Sequence, residues 1–176
     1  HGYDVKAQDV AEALLNYAPF EHGFFWWGGY GISTEHTAYL KLRNGIPAPM
    51  SGSIEQNGTA LAEQIGGQIF IDTWGLVFPG EPTLAADYAQ TTASVSHDGE
   101  GLLGARFFGA AIAEAFRAKT IDQVMKRALA EIPEDSDYSR VVKAVMVFHE
   151  DEQEDFRACV DMVRREWGYE RYPGNC

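Results

Sequence analysis

The chain is poor in the features that mark several classes of protein. It has two cysteines in 176 residues, Cys159 inside a helical pattern and Cys176 at the last position, so neither a disulfide framework nor a zinc site can be assembled from them. A reducing, cytoplasmic setting is the expectation. No apolar run approaches the ~18 residues of a membrane span, and no secretory leader pattern opens the sequence. Basic residues are scarce: 14 Lys and Arg stand against 26 Asp and Glu, a net charge of −12. Such a chain does not hold a polyphosphate backbone by bulk charge, which argues against nucleic acid as a partner. A small anionic ligand stays possible through a local pocket of backbone N–H groups. There is no convincing alternating strand, internal repeat or dividing linker, and no serine or cysteine with a base at recognisable spacing. The reading is one all-α domain over residues 1–176.

Helical periodicity covers most of what is present. Val10, Ala11, Leu14, Leu15 and Ala18 predict an amphipathic helix over Gln8 to Tyr17, closed before Pro19. Ser33 or Thr34 can cap the next helix, which ends at Asn44-Gly45. Between them, FEHGFFWWGGYGI (Phe20 to Ile32) is aromatic, glycine-rich and without period. It reads either as a loop folded over the core or as an aromatic lid on a cleft. Pro47, Pro49, Ser51-Gly52-Ser53 and Asn57-Gly58 make a long irregular stretch before a helix that runs from near Thr59 to about Gly75.

That helix carries the most informative pattern. Leu61, Ile65 and Ile69 recur every four residues on one face, and Gln64, Gln68 and Asp72 on another. Gly66 and Gly67 interrupt it at a cost of ~1 kcal/mol each relative to alanine, which close packing or a ligand against the backbone would offset. The polar stripe is either a solvent face or the lining of a site, and it lacks the Lys, Arg and Glu that solvent faces usually carry.

A helix from about Thr83 to Ser94, with Pro82 in its first turn, is followed by Ser96-His97-Asp98-Gly99-Glu100-Gly101 and then a helix apolar enough to be central. Two more follow: one after Thr120, with Gln123 three residues on as a capping box, and one carrying Tyr138, Val141, Val142, Val145 and Phe148. The acidic run from Glu150 to Asp155 reads as a solvated patch rather than a metal site. Phe156, Cys159, Val160, Val163 and Trp167 define a last helix, closed by Gly168. Of five histidines, His97 stands out because it occupies a joint between two helices. It reads as a neutral hydrogen-bonding group in a pocket wall. A helix starting just after it offers unpaired N–H groups to a phosphate or ribose hydroxyl, unless Ser96 or Asp98 takes them as a cap.

The order of GGQIFIDTWG, FPGEP and SHDGEG, with TEHTAYLKLRNGI before them and YPGNC at the end, resembles the ADP-ribosylglycohydrolase family, in a bacterial branch. The resemblance implies an orthogonal all-helical bundle, incomplete in this chain, with a cleft that binds ADP-ribose above a divalent metal, usually Mg2+. It implies that Gln64, Gly66, Gly67, Gln68 and His97 line that cleft, and the stripe and joint add Asp72 and Ser96. Many relatives carry an asparagine before the glycine pair and an arginine after it. Ile65 and Phe70 stand there, which widens the expected substrate to a related N- or O-glycoside.

The family's Thr-Asp-Asp and Asp-x-Asp metal clusters do not occur here. The expectation is therefore the internal portion of a larger hydrolase, with Mg2+ and its ligands supplied by segments on either side, and with no turnover by this chain alone. The expected partner is a small-molecule or ADP-ribosylated substrate. Two rival readings are a non-catalytic nucleotide-sugar-binding or structural protein on the same fold, and an interaction module using the aromatic loop.

Overall fold

The computed structural model describes residues 4–18, 28–151 and 155–168, and its regular elements there are helices, with no strand. The aromatic run from Phe20 to Trp27, His1, His22, part of the acidic run and the stretch from residue 169 to Cys176 lie outside the described residues. Helix α1 (Ala7–Tyr17) buries Ala11 against Leu42 and Val95. Helix α2 (Thr34–Arg43) starts where the Ser33 hydroxyl accepts the His36 N–H at 3.1 Å. It stops at Asn44 before Gly45, which takes a φ of 86°.

The helix expected from Thr59 to Gly75 is instead three short ones: α4 (Thr59–Ala62), α5 (Gly66–Ile69) and α6 (Asp72–Val77), preceded by a 3-10 turn at Met50–Gly52 and by α3 (Ile54–Asn57). The reason is a competing donor. In a continuous helix the Ala62 carbonyl would accept from Gly66; here it accepts the N–H of Asp98 at 3.0 Å. The chain turns aside after Ala62, and Leu61, Ile65 and Ile69 no longer share a face: Ile65 and Ile69 are exposed.

Helix α7 (Pro82–Ala93) begins with its proline in the first turn, where a missing N–H costs nothing. Helix α8 (Glu100–Ala115) packs against α5, α6, α7 and α9 (Ile121–Leu129), the central position expected of it. Phe108 and Phe116 on its flank and C-terminus are nevertheless exposed. Its contact with α7 is made by small residues: Ala85, Ala89, Ala93, Ala105 and Ala113 are all fully buried. A Cβ on Gly109 would stand 2.9 Å from the Ala85 carbonyl oxygen, so the backbones are already touching.

Arg106 ties this layer together, donating to the Glu131 carbonyl oxygen at 2.8 Å and to Asp87 and Gln90 on α7. The Thr120 hydroxyl accepts the Gln123 N–H at 3.3 Å and opens α9 as expected. The Gln123 side chain reaches Lys119 N rather than completing the box. Glu114, a buried carboxylate, pairs with Arg117 at 2.6 Å. Helices α10 (Asp137–Asp151) and α11 (Phe156–Trp167) form a hairpin at one side. Tyr138 and Val142 of α10 pack on the Phe107 cluster, while α11 buries no residue fully.

Candidate functional site

The joint between α7 and α8 places His97 with its side chain fully buried. Its N–H continues the helical pattern, donating to the Ala93 carbonyl at 2.8 Å. Both ring nitrogens meet hydroxyls: Nδ1 lies 2.8 Å from Ser96 Oγ and Nε2 lies 3.1 Å from Thr34 Oγ1, from the first turn of α2. A neutral imidazole donates from one nitrogen and accepts at the other, and hydroxyls suit both roles. Burial pushes the pKa of His97 down to about 4, against the opposing pull of the Glu35 carboxylate and of the bond to Ala93. Glu35 Oε1 lies 3.9 Å from Nε2, beyond hydrogen-bond reach. His97 is thus a neutral imidazole at pH 7.

The glycine pair forms the wall beside this ring. A Cβ on Gly66 would fall 2.1 Å from Glu35 Oε1 and 2.9 Å from His97 Nε2; one on Gly67 would fall 2.9 Å from the Gly101 carbonyl oxygen and 3.2 Å from the ring. Close packing therefore accounts for both glycines. The Phe70 ring, its residue 41% exposed, sits 5.8 Å from the imidazole and continues the wall outward.

The irregular stretch before α4 braces the joint from behind. Ser51 Oγ donates to the Val95 carbonyl at 2.7 Å, and a Cβ on Gly52 would strike the backbone of Ser96 and His97 at 2.6–2.7 Å. The Lys41 ammonium donates to Gln56 O and Asn57 Oδ1, fastening the same stretch to α2. A relay of carboxylates then closes the helix starts. Asp98 Oδ2 accepts Ile54 N–H at 2.9 Å, Glu63 Oε1 accepts Glu100 N–H at 3.0 Å, and Glu100 Oε2 accepts Tyr138 N–H at 2.8 Å. Burial raises the pKa of Glu63, the bond from Glu100 N–H lowers it, and the charges of Glu100, Asp98 and Asp137 raise it further.

This relay decides between the two uses considered for the start of α8. Gly99 N–H goes to Asp98 Oδ1, Glu100 N–H to Glu63, and Gly101 N–H to the Asp98 carbonyl. Those donors are spent on caps, one of them from Glu63 rather than Ser96, and a phosphate has no call on them.

Of the seven binding candidates, Gly66, Gly67, Ser96 and His97 come together. Gln64 instead donates through Nε2 to the Ile32 carbonyl at 3.0 Å, and Gln68 accepts from the Tyr138 hydroxyl at 2.5 Å, next to Gly104. Asp72 is exposed at the start of α6. The break after Ala62 is what scatters the stripe. Thr34 and Glu35 join the cluster although nothing in their spacing points to it; their distance of about sixty residues from His97 is closed only by the fold. A cavity of about 1040 Å³ lies between Pro47–Met50 and the Gln90–Ser94 side of α7. It includes His97 but none of Thr34, Glu35, Gly66 or Gly67 on its wall. Among the described residues no group of three or more His, Cys, Asp or Glu side chains is placed to hold a metal ion.

The family model described as ADP-ribosylglycohydrolase matches residues 1–174, almost the whole chain. No curated protein and no solved structure matches it.

Proposed function

Starting from the membership of this chain in the ADP-ribosylglycohydrolase family, we propose that it supplies one wall of a hydrolase cleft that binds ADP-ribose, or a related N- or O-glycoside, for cleavage of its glycosidic bond. The observation that carries this reading is His97: a fully buried, neutral imidazole held by two hydroxyls against a glycine pair. Its two nitrogens are taken by Ser96 and Thr34, so the ring fixes the position of the wall without adding charge, and the partly exposed Glu35 and Phe70 beside it are the groups a ligand meets. The Mg2+ expected for the family finds no fitting ligand set among the described residues. The role of the described residues therefore stops at holding the ligand. The partner is a small-molecule or ADP-ribosylated substrate and the setting is cytoplasmic; among the described residues no helix is long and apolar enough to cross a membrane.

The test is ADP-ribose titrated by calorimetry into the chain and into His97→Ala. Affinity at least tenfold weaker in the variant supports the reading; equal affinity removes His97 from the site. Incubated with an ADP-ribosylated acceptor and Mg2+, the chain is expected to release no ADP-ribose, and release would refute this limit on its role. A second reading, a non-catalytic binder or structural protein on the same fold, is favoured by Phe70, an exposed aromatic ring where the family resemblance implies an arginine in many relatives. It predicts binding by the chain and no turnover by the intact protein.

A further inference from the structure

Glu35 brings a carboxyl group to the wall formed by Gly66, Gly67 and His97, and the site as described so far gives it no task. It sits in the first turn of α2, half-buried, with its side chain 42% exposed. One of its oxygens is fixed: Oε2 accepts from Ser33 Oγ at 3.0 Å. The other, Oε1, lies over Gly66, in space that any side chain at that position would fill. Within the described residues the charged partner nearest to hand would be His97, but that ring is neutral and 3.9 Å away.

Among the described residues this carboxyl group has no Lys or Arg partner within ion-pair distance. Taking an ionised group partly out of water is unfavourable unless hydrogen-bond donors replace the solvent it loses. The donors at the start of α8 are committed to Asp98 and Glu63, and the bond of Gln64 runs to Ile32. The wall thus offers an acceptor carboxylate and the exposed Phe70 and Ile65. This is the wrong chemistry for a phosphate, which needs donors and is repelled by the charge. It suits a ligand that brings hydroxyl donors on a compact, partly apolar ring.

We propose that Glu35 is a specificity-determining residue of this site, accepting hydrogen bonds from the vicinal hydroxyls of the ribose at the scissile bond. The inference rests on the reading of the site as an ADP-ribose wall and deepens it: the wall takes the sugar, and the diphosphate lies elsewhere. Hydrogen bonds to sugar hydroxyls next to the reacting carbon strengthen as the bond breaks, so a carboxylate here also serves the intact hydrolase.

The experiment compares wild type, Glu35→Gln and Glu35→Asp in calorimetric titrations with two probes, ADP-ribose and an analogue whose terminal ribose lacks its 2- and 3-hydroxyls. Thermal melts confirm that each variant is folded. Wild type is expected to prefer ADP-ribose at least tenfold; Glu35→Gln loses that preference while binding the analogue as wild type does, and Glu35→Asp restores part of it. Unchanged preference in Glu35→Gln overturns the assignment and leaves the ADP-ribose reading standing. Equal weakening of both probes also overturns it, since the effect is then structural. If wild type binds neither probe, the reading of the site falls and this inference with it. Mg2+ titrated alone serves as a control: binding that Glu35→Gln abolishes would make the carboxylate a metal ligand and refute the hydroxyl assignment.

Discussion

The contact between α7 and α8 and the joint that carries His97 both bring backbones very close, and they do so with different materials. Along α7 and α8 the surfaces are alanine and glycine, and approach is limited only by van der Waals contact. At the joint, only four residues beyond Ala93, approach is enforced by long-range hydrogen bonds that involve Ser51, Asp98, Glu63 and Thr34. The first kind of packing resists added volume. The second resists the loss of a partner and depends on protonation. The lesson is that the seam and the joint, though both stabilise the bundle, respond to different perturbations.

The sharpest way to break that division is to add volume to the alanine seam. Gly109→Val places carbon within 2.9 Å of the Ala85 carbonyl and the Ala89 Cβ. It is expected to cost about 3 kcal/mol in urea unfolding; a cost below about 1 kcal/mol would mean the seam relaxes freely.

Acidification probes the joint. Because the folded pKa of His97 is depressed to about 4 from 6.5, its contribution is fully present above pH 6.5 and is lost as pH falls toward 4, where the unfolded chain binds the proton more readily. Relative to His97→Asn, which cannot titrate, wild type should lose on the order of 3 kcal/mol between pH 7 and 4. Parallel profiles for the two proteins would contradict a buried neutral ring.

Ser51→Ala removes the brace to Val95 and leaves a buried carbonyl without its donor, a loss of about 1–2 kcal/mol in the same assay. Glu63 separates charge from hydrogen bonding. Its raised pKa means that its ionised form works against the fold, and the penalty accrues as pH rises from the ordinary carboxylate range to the raised value. Glu63→Gln keeps an acceptor for Glu100 N–H and removes the repulsion, so it should be neutral or mildly stabilising, whereas Glu63→Ala should lose about 1 kcal/mol. At the bottom of the scale, Phe156→Ser on α11, 67% exposed, should change stability by less than about 0.5 kcal/mol. A larger loss would show that α11 contributes to the bundle beyond its contact with α10.

The fold was legible wherever a helix carried its own punctuation. Pro82, Ser33, Asn44-Gly45, Thr120 and Gly168 mark ends that lie within a residue or so of where they were read. It was illegible after Ala62, because the event that ends α4 is a bond from Asp98, thirty-six residues away, and periodicity carries no trace of it. The same break explains the mixed outcome at the site. His97, Ser96 and the glycine pair were visible from the joint and from the unusual Gly-Gly. Gln68 and Asp72 belonged to a stripe that a continuous helix would have kept together. Thr34 and Glu35 looked like first-turn residues of another helix, and only tertiary packing brings them to the imidazole.

The central claim is that His97 is a neutral, buried imidazole on which the wall of the site is built. Nitrogen-15 spectra of the labelled ring at pH 7, recorded as ADP-ribose is added, test it directly. The account predicts the shifts of a neutral ring in the free chain and a saturable change at one or both nitrogens on titration. A cationic ring at pH 7, or a neutral one that ADP-ribose leaves untouched at saturation, would contradict it.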